Sequence, residues 1–572
     1  MDTMIVRARS ATLTAERPAA TAVAAGLPDQ ERRGKKKHAT KKKPHRRHVL
    51  ATAAAQTVNV VSAPASSIVT TLTGDTGTTD SSASTARRLS WASTAVPTAA
   101  ELHVISRFSF GFTQAEFTRL RARNGASGWL EQQLRPDTIP DPVMDELLAA
   151  LPDLYLPAQD QAAAGNTDRK SASDVQRQHF AATVARRAFS TRQLEAVMED
   201  FWTNHFYIPC TTVSTIYYHA DYCRTLRQNA LGRFEDLLIA AETHPAMLTY
   251  LSTVNSEASH PNENQGREMF ELHTVGLRNG YTENDIDDVS KLLTGWTTDR
   301  WAVSYEPDNH ATGAVSAMGW SDPNSDPDGR AAYRSLLSYL AHHPNTASYV
   351  CRKLAVRFVS DSPSDSLVAQ LAQTYLNNDT QIAPVLRALA RSPEFLRAAG
   401  QKLRTPAEDC VATLRATGVT VPPLPAIGVD SHTSFLNLAS LPRAAGQPLF
   451  SRATPDGFPD VAAAWSTSVR ATAMLRWHWQ IADPDSGLVG DDSDRPSVSS
   501  LLPRSSMRFD QWVDHLCRTL LGLPADDVQV AAACAATGLS NSTTVTASST
   551  VAGSGFQRLL VSLLDTPTLL NR

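Results

Sequence analysis

Ser190–Phe206, STRQLEAVMEDFWTNHF, reads as the start and body of one amphipathic helix. Ser190 and Gln193 stand at capping-box spacing, where a hydroxyl accepts from a free amide and the glutamine reaches back to the first residue. Leu194, Val197, Met198, Phe201 and Trp202 then recur at i, i+3, i+4, i+7 and i+8, which puts them on a single apolar face. At about 100° per residue, His205 returns to within about 20° of Leu194 on that face. It reads first as a hydrogen-bonded core histidine and second as a ligand or catalytic group.

The same logic extends outward. Thr282 and Asp285 repeat the capping pattern ahead of Ile286, Val289, Leu293 and Trp296, with Gly295 near the stop. Phe509, Val513, Leu516 and Leu520 mark a late helix, and Phe556, Leu559, Leu560 and Leu563 the last. Alternating strand-like runs are scarce, and no fixed-period repeat occurs. The expected fold class is all-α, a bundle-like array of many helices with long loops and no substantial sheet, in which Trp202 and Trp296 are mostly buried. Pro157 to Ser173, Asp483 to Ser500 and Asn541 to Gly555 are polar or small-residue stretches and read as loops.

The 572 residues are 42% hydrophobic and 19% charged, a globular composition. No run of eighteen apolar residues exists, so no typical transmembrane helix is expected. Charge is unevenly spread: residues 1–48 carry 13 Lys or Arg against 4 Asp or Glu, and the remainder 41 against 53. An acidic body is a poor partner for phosphate backbones, so nucleic acid is excluded as a ligand of the folded part.

The basic leader has two readings. Lys35–Lys37 and Lys41–Lys43 resemble an anion-binding tail, whereas Arg46-Arg47 leads into a weakly apolar, alanine-rich run interrupted by Gln56 and Asn59 and followed by Ala63-Pro64-Ala65. The second pattern is that of a twin-arginine export signal with a small-residue cleavage site. It makes the protein secreted or envelope-associated, with a mature start near Ser66. Ser66 to Thr98 is a Ser/Thr/Ala-rich spacer too polar to form a core.

Chemistry concentrates in Pro261–Gly276, PNENQGREMFELHTVG. On a continuous α-helix Glu263, Asn264, Arg267, Glu268 and Glu271 share an arc of about 140°, with Glu263, Arg267 and Glu271 one turn apart. Three readings follow: a solvated salt-bridge ladder worth tenths of a kcal/mol, a buried ion network that fixes packing, or a site. In the last, Glu268 or Glu271 acts as general acid or base, or binds a divalent cation, and Arg267 clamps an anion. A buried network flanking a pocket would make Arg267→Ala cost about 3–5 kcal/mol while leaving at least one glutamate thermally silent. His273 falls about 160° from Glu271, so one metal ion would not readily take both. Asn262 completes the polar stretch.

Other positions are ambiguous. His103 and Arg107, one turn apart, suit a packing pair or an anion pocket. His310 lies in the loop-like Tyr305–Asp328 stretch. Asp285, Asp287 and Asp288 lack the glycine and terminal glutamate of an EF-hand. Nucleophile-elbow, phosphate-loop and dinucleotide motifs are absent, and the six cysteines show no Cys-x-x-Cys spacing.

His103–Gly111, Phe201–Phe206, His244–Leu248, Pro261–Gly276 with Leu293–Thr297, His343-Pro344 with Arg352–Leu354, and Gly446–Phe450 with Pro455–Pro459 occur in the order of a bacterial family's motifs. Together they resemble the domain of unknown function 1800 family. One departure is that Ala311 and Val315 stand where relatives usually have an aspartate and a lysine after the histidine corresponding to His310. After the leader over 1–65 and the spacer over 66–98, the resemblance covers a main helical domain over 99–400 and a C-terminal helical part of the same family region over 401–572. It also implies export. Two functions are in view. One is an exported hydrolase of an envelope or extracellular polymer, using Glu268, Glu271 and Arg267 with His205 or His310 in support, and Asn262, Glu263, Asn264, His273, His103 and Arg107 as binding residues. The other, implied by the family's gene neighbourhoods, is a non-catalytic scaffold or partner of an exported phosphatase- or sulfatase-like protein.

Overall fold

A computed structural model describes residues 94–165, 171–422, 434–483, 486, 489, 493–495, 497–548, 551 and 554–572. The leader, Arg46-Arg47, Ala63-Pro64-Ala65 and all but the last residues of the spacer lie outside them. The expected all-α fold is observed: helices dominate, and among the described residues the strands form three two-stranded antiparallel ribbons. No described helix is long and apolar enough to cross a membrane.

The helices that position the site are α1 (Ala99–Phe108), α2 (Ala172–Phe189), α3 (Gln193–His205), α4 (Val213–Gln228), α5 (Phe234–Glu242), α6 (Asn264–Glu268), α7 (Glu283–Leu292), α8 (Pro344–Phe358) and α9 (Pro406–Thr417). Helix α3 is the centre of the packing: it lies against α1, α2 and α4, and α2 in turn carries α9. Its apolar stripe is buried as its spacing requires, and the Trp202 indole donates to Ala230 O at 2.9 Å.

Starts follow capping chemistry in several places. Capping boxes close α1 at Thr98/Glu101, α2 at Ser171/Asp174, α7 at Thr282/Asp285 and α9 at Thr405/Glu408, each satisfying amides that have no partner inside the helix. The box expected at Ser190/Gln193 does not form, and α3 begins without a side-chain cap. Tertiary contacts claim both residues. Ser190 donates its hydroxyl to Asp141, and Gln193 is buried, accepting from Phe110 N and donating to Arg187 O and Ser190 O.

Helix α7 stops at Leu292, so Trp296 does not extend its stripe. Trp296 instead opens β1 (Trp296–Asp299), paired with β2 (Ala302–Tyr305), and is only half-buried. Gly295 makes this turn at φ +95°, and a Cβ there would sit 2.8 Å from the Tyr305 ring, so glycine is needed twice over. The Tyr305–Asp328 stretch also contains β3 (Val315–Ala317) paired with β4 (Trp320–Asp322). Of the other stretches read as loops, Ala158–Gly165 is helical and Thr544–Thr546 is a strand, β6, paired with β5 (Ser506–Arg508). The two late stripes form helices Phe509–Leu520 and Ser554–Leu564 as expected.

Candidate functional site

The polar stretch Pro261–Gly276 is not one continuous α-helix. Helix α6 ends at Glu268, and Met269–His273 is a π-turn, a wider coil that recurs at functional sites. Gly266 brings this segment close to α7, where a Cβ would stand 3.3 Å from Val289. His273 points inward, on the side away from the Glu263–Glu271 arc, as its angular offset from Glu271 implies. His273 Nδ1 meets Glu242 Oε1 at 2.6 Å, while Gln265 and Tyr333 donate to Glu242 Oε2 at 3.0 and 3.2 Å. All four are buried.

Arg267 faces the other way. It pairs with Glu263 at 3.0 Å, Glu283 at 2.7 Å and Glu271 at 3.9 Å, in a half-exposed cluster whose acids are partly or largely solvated. The ladder is therefore at the surface and not a buried network. Arg267→Ala is now expected to cost less than about 1 kcal/mol, with the difference fading at high salt; parallel thermal melts at low and high ionic strength measure it. Asn262 accepts from Asn264 N at 2.9 Å at the start of the segment. Glu268 is half-buried, and burial, followed by repulsion from Glu271 and Asp456, pushes its carboxyl upward against the pull of His273 and Arg267.

His103 and Arg107 serve backbone ends. His103 Nε2 meets Phe395 O at 2.8 Å, and Arg107 donates to Phe358 O at 3.3 Å and Ala398 O at 2.5 Å. His310 is buried against Thr294 and Asn324, with Nε2 2.9 Å from Asn324 Oδ1. Neither group reaches the cavity described next.

That cavity, about 340 Å³, lies between the C-terminal end of α3, α8, the start of α9 and the segment 447–460. His205 enters its wall, as do Lys353, Asp456 and Phe450. Sequence positions more than two hundred residues apart are locked together here. Asn204 donates to Phe458 O and accepts from Phe458 N, both at 2.7 Å. Gly457 permits this approach: its φ is +69°, and a Cβ would fall 2.3 Å from Asn204 O. Gly457→Ala is expected to cost on the order of 1–3 kcal/mol from backbone strain alone and to release the segment carrying Asp456, readable as a lowered melting temperature.

The cavity floor is an ion network. Arg357 reaches Glu408 at 2.6 Å, Asp200 at 3.4 Å and Asp460 at 3.5 Å, and Arg572 meets Glu408 at 2.7 Å. Arg187 holds Asp200 at 2.7 Å, and Lys402 joins Asp361 at 2.6 Å and Asp460 at 3.2 Å. Burial pushes the Glu408 carboxyl up, but the guanidiniums of Arg357 and Arg572 overcome that and hold it at about 2. Behind this network, burial and then repulsion from Arg572 and Arg404 lower Arg107 to about 9. Burial likewise lowers Arg404 to about 10, despite nearby Glu408. Cations crowd this end of the molecule.

Lys353 differs from these. Among the described residues it has no ion-pair partner within 4.0 Å, and its Nζ stands 5.3 Å from the Tyr349 ring centre. Burial lowers its amine to about 8, with Asp456 opposing part of the shift. Asp456 is itself fixed by Arg452, which grips both carboxylate oxygens at 2.9 and 2.8 Å. His205 is kept neutral by burial and by the Lys353 charge. Its Nε2 lies 3.1 Å from His273 O, an acceptor, which makes Nε2 the protonated nitrogen and leaves Nδ1 a lone pair. The Asp456 charge raises the Lys353 amine and the Glu268 carboxyl alike. Glu268 itself is not among the residues lining the cavity.

Lys353, Asp456 and Phe450 lie in the motif segments quoted above, but nothing in the local residue pattern there marks them as a site. Arg357 and Asp460 carried no local signal. Glu408 carried one, the Thr405-x-x-Glu408 capping pattern, which says nothing of its ion pairs.

A family model described as "Protein of unknown function (DUF1800)" matches residues 103–570. No curated protein and no solved structure matches the chain.

Proposed function

The chain belongs to the DUF1800 family, whose function is unknown, and on that premise we propose that it is an exported hydrolase of an anionic envelope or extracellular polymer, working in the α3–α8 cavity. The observation that carries this reading is Lys353, an amine lowered to about 8 in a cavity of about 340 Å³ and free of ion pairs among the described residues. A general base is most effective when its pKa lies near the working pH, and a neutral lysine amine meets that condition here. In hydrolysis Lys353 takes a proton from the attacking water and, as the ammonium so formed, returns it to the leaving group.

Lys353, a cation with no ion-pair partner among the described residues, supports an anionic substrate. Arg46-Arg47 and Ala63-Pro64-Ala65 support an extracellular one. The test is release of soluble fragments from a dye-labelled anionic envelope glycan, with the purified protein and Lys353→Met side by side. Release by the parent and at least a hundredfold less by the variant is expected from loss of a general base. No release by the parent, or equal release by both, rejects the reading.

The outward Arg267 cluster favours a second reading, docking onto an exported phosphatase- or sulfatase-like protein. In that case Arg267→Ala weakens co-purification with the partner and leaves polymer release unchanged.

A further inference from the structure

We propose that His179, His219 and Cys223 form a buried zinc site directly behind the cavity wall. His219 and Cys223 are one turn apart on α4, and α2 brings His179 to them. His179 Nε2 and His219 Nδ1 are 2.9 Å apart, and Cys223 Sγ lies 3.5 Å from the latter and 3.8 Å from the former. A tetrahedral zinc, with nitrogens at about 2.0–2.1 Å and sulfur at about 2.3 Å, separates its donors by about 3.3–3.6 Å. The three atoms therefore need shifts of only tenths of an ångström to hold the ion.

The surroundings suit this use. His219 Nε2 lies 2.9 Å from Ile208 O, an acceptor, so the proton resides there and Nδ1 offers its lone pair, the arrangement found around histidine ligands. Burial keeps both imidazoles neutral, so neither loses a proton on binding. The Cys223 thiol is raised by burial and then by Glu199 and Cys210, so zinc must displace its proton and affinity rises with pH. The three donors lie within 4.8 Å of one another, which leaves the fourth position of a tetrahedral zinc to water. A set of imidazole and thiolate donors selects zinc over magnesium or calcium.

The consequence is structural. Phe450 stacks on His179 with ring centres 5.6 Å apart and lies 4.5 Å from His219, while its carbonyl accepts from Cys210 N at 2.9 Å. Phe450 also lines the cavity and holds a left-handed φ of +45°. Zinc would pin α2 and α4 together and fix the wall on which Phe450 rests. The signal in the sequence is His219-x-x-x-Cys223, a helical i, i+4 pair that a search for paired cysteines passes over.

The experiment uses the full chain expressed in zinc-supplemented medium, then desalted. Metal analysis is expected to find about one tightly held zinc per chain, and cobalt loaded in its place should give a thiolate-to-cobalt charge-transfer band. Cys223→Ala should lose both the metal and the band. Should that variant fold poorly, zinc-edge X-ray absorption on the parent decides: a sulfur shell at about 2.3 Å with nitrogen at about 2.0 Å is expected. Protein that retains no zinc, or holds it through oxygen and nitrogen alone, overturns the proposal.

Discussion

Glu408→Gln is expected to destabilise the protein by on the order of 3–5 kcal/mol, the usual cost of removing one partner from a buried ion pair. Glu408 is 3% exposed and serves three groups: the guanidiniums of Arg357 and Arg572, and the Thr405 amide at 2.9 Å. A glutamine keeps the shape and the amide contact but leaves Arg357 and Arg572, both buried, with only their longer contacts to Asp200 and Asp460 at 3.4–3.5 Å. The pH dependence follows from the direction of the shift. The folded carboxyl, at about 2, lies below its ordinary value of 4.5, so its stabilisation is fully present above 4.5 and is lost as pH falls toward 2. Urea unfolding at pH 7, 4.5 and 3 should show the parent losing stability over that interval, with a flatter limb for the variant. A variant within about 1 kcal/mol of the parent at pH 7 would mean that the network does not hold the cavity floor together.

Lys353→Met is expected to work in the opposite sense on stability while removing activity. The lysine amine lies at about 8 when folded and at 10.5 in its ordinary state, so the folded chain binds fewer protons between those values. Its burial penalty is fully present below pH 8 and is relieved as pH rises through that window. An apolar side chain of similar length removes the penalty, for a gain of about 1–3 kcal/mol at pH 7, discounted for the partial exposure of Lys353. Thermal melts should rise at pH 7 and converge with the parent near pH 10.5. A stabilised but inactive variant is the signature of a group kept for function at the expense of the fold. A destabilised one would make Lys353 a packing residue.

Periodicity made the fold class legible because helix faces are local: the stripe of α3 can be read from Leu194 to Trp202 with no knowledge of its neighbours. Local capping was less secure, since Ser190 and Gln193 were taken by Asp141 and Phe110, residues far away in the chain. The apolar stripe overstates the extent of α7, because Trp296 keeps the 3.6-residue spacing although the helix ends at Leu292 and the chain turns at Gly295. The polar stretch was legible as unusual but not in shape. A π-turn leaves no periodic trace, so His273 could not be seen to point at Glu242, nor Arg267 to point at solvent. The cavity was hidden for a different reason. Its ion network joins Asp200, Arg357, Glu408 and Asp460, single residues on four separate segments, and only folding brings them together.

The most direct test of the cavity's role is the pH profile of polymer release, measured from pH 6 to 10 with the parent and Lys353→Met at matched folded concentrations. With Lys353 as base, the parent's kcat/KM should rise about tenfold per pH unit and level off near pH 8, where the amine loses its proton, and the variant should stay flat and at least a hundredfold lower. A variant that keeps the parent's profile would contradict the assignment of Lys353 and, with it, of the cavity as the catalytic site.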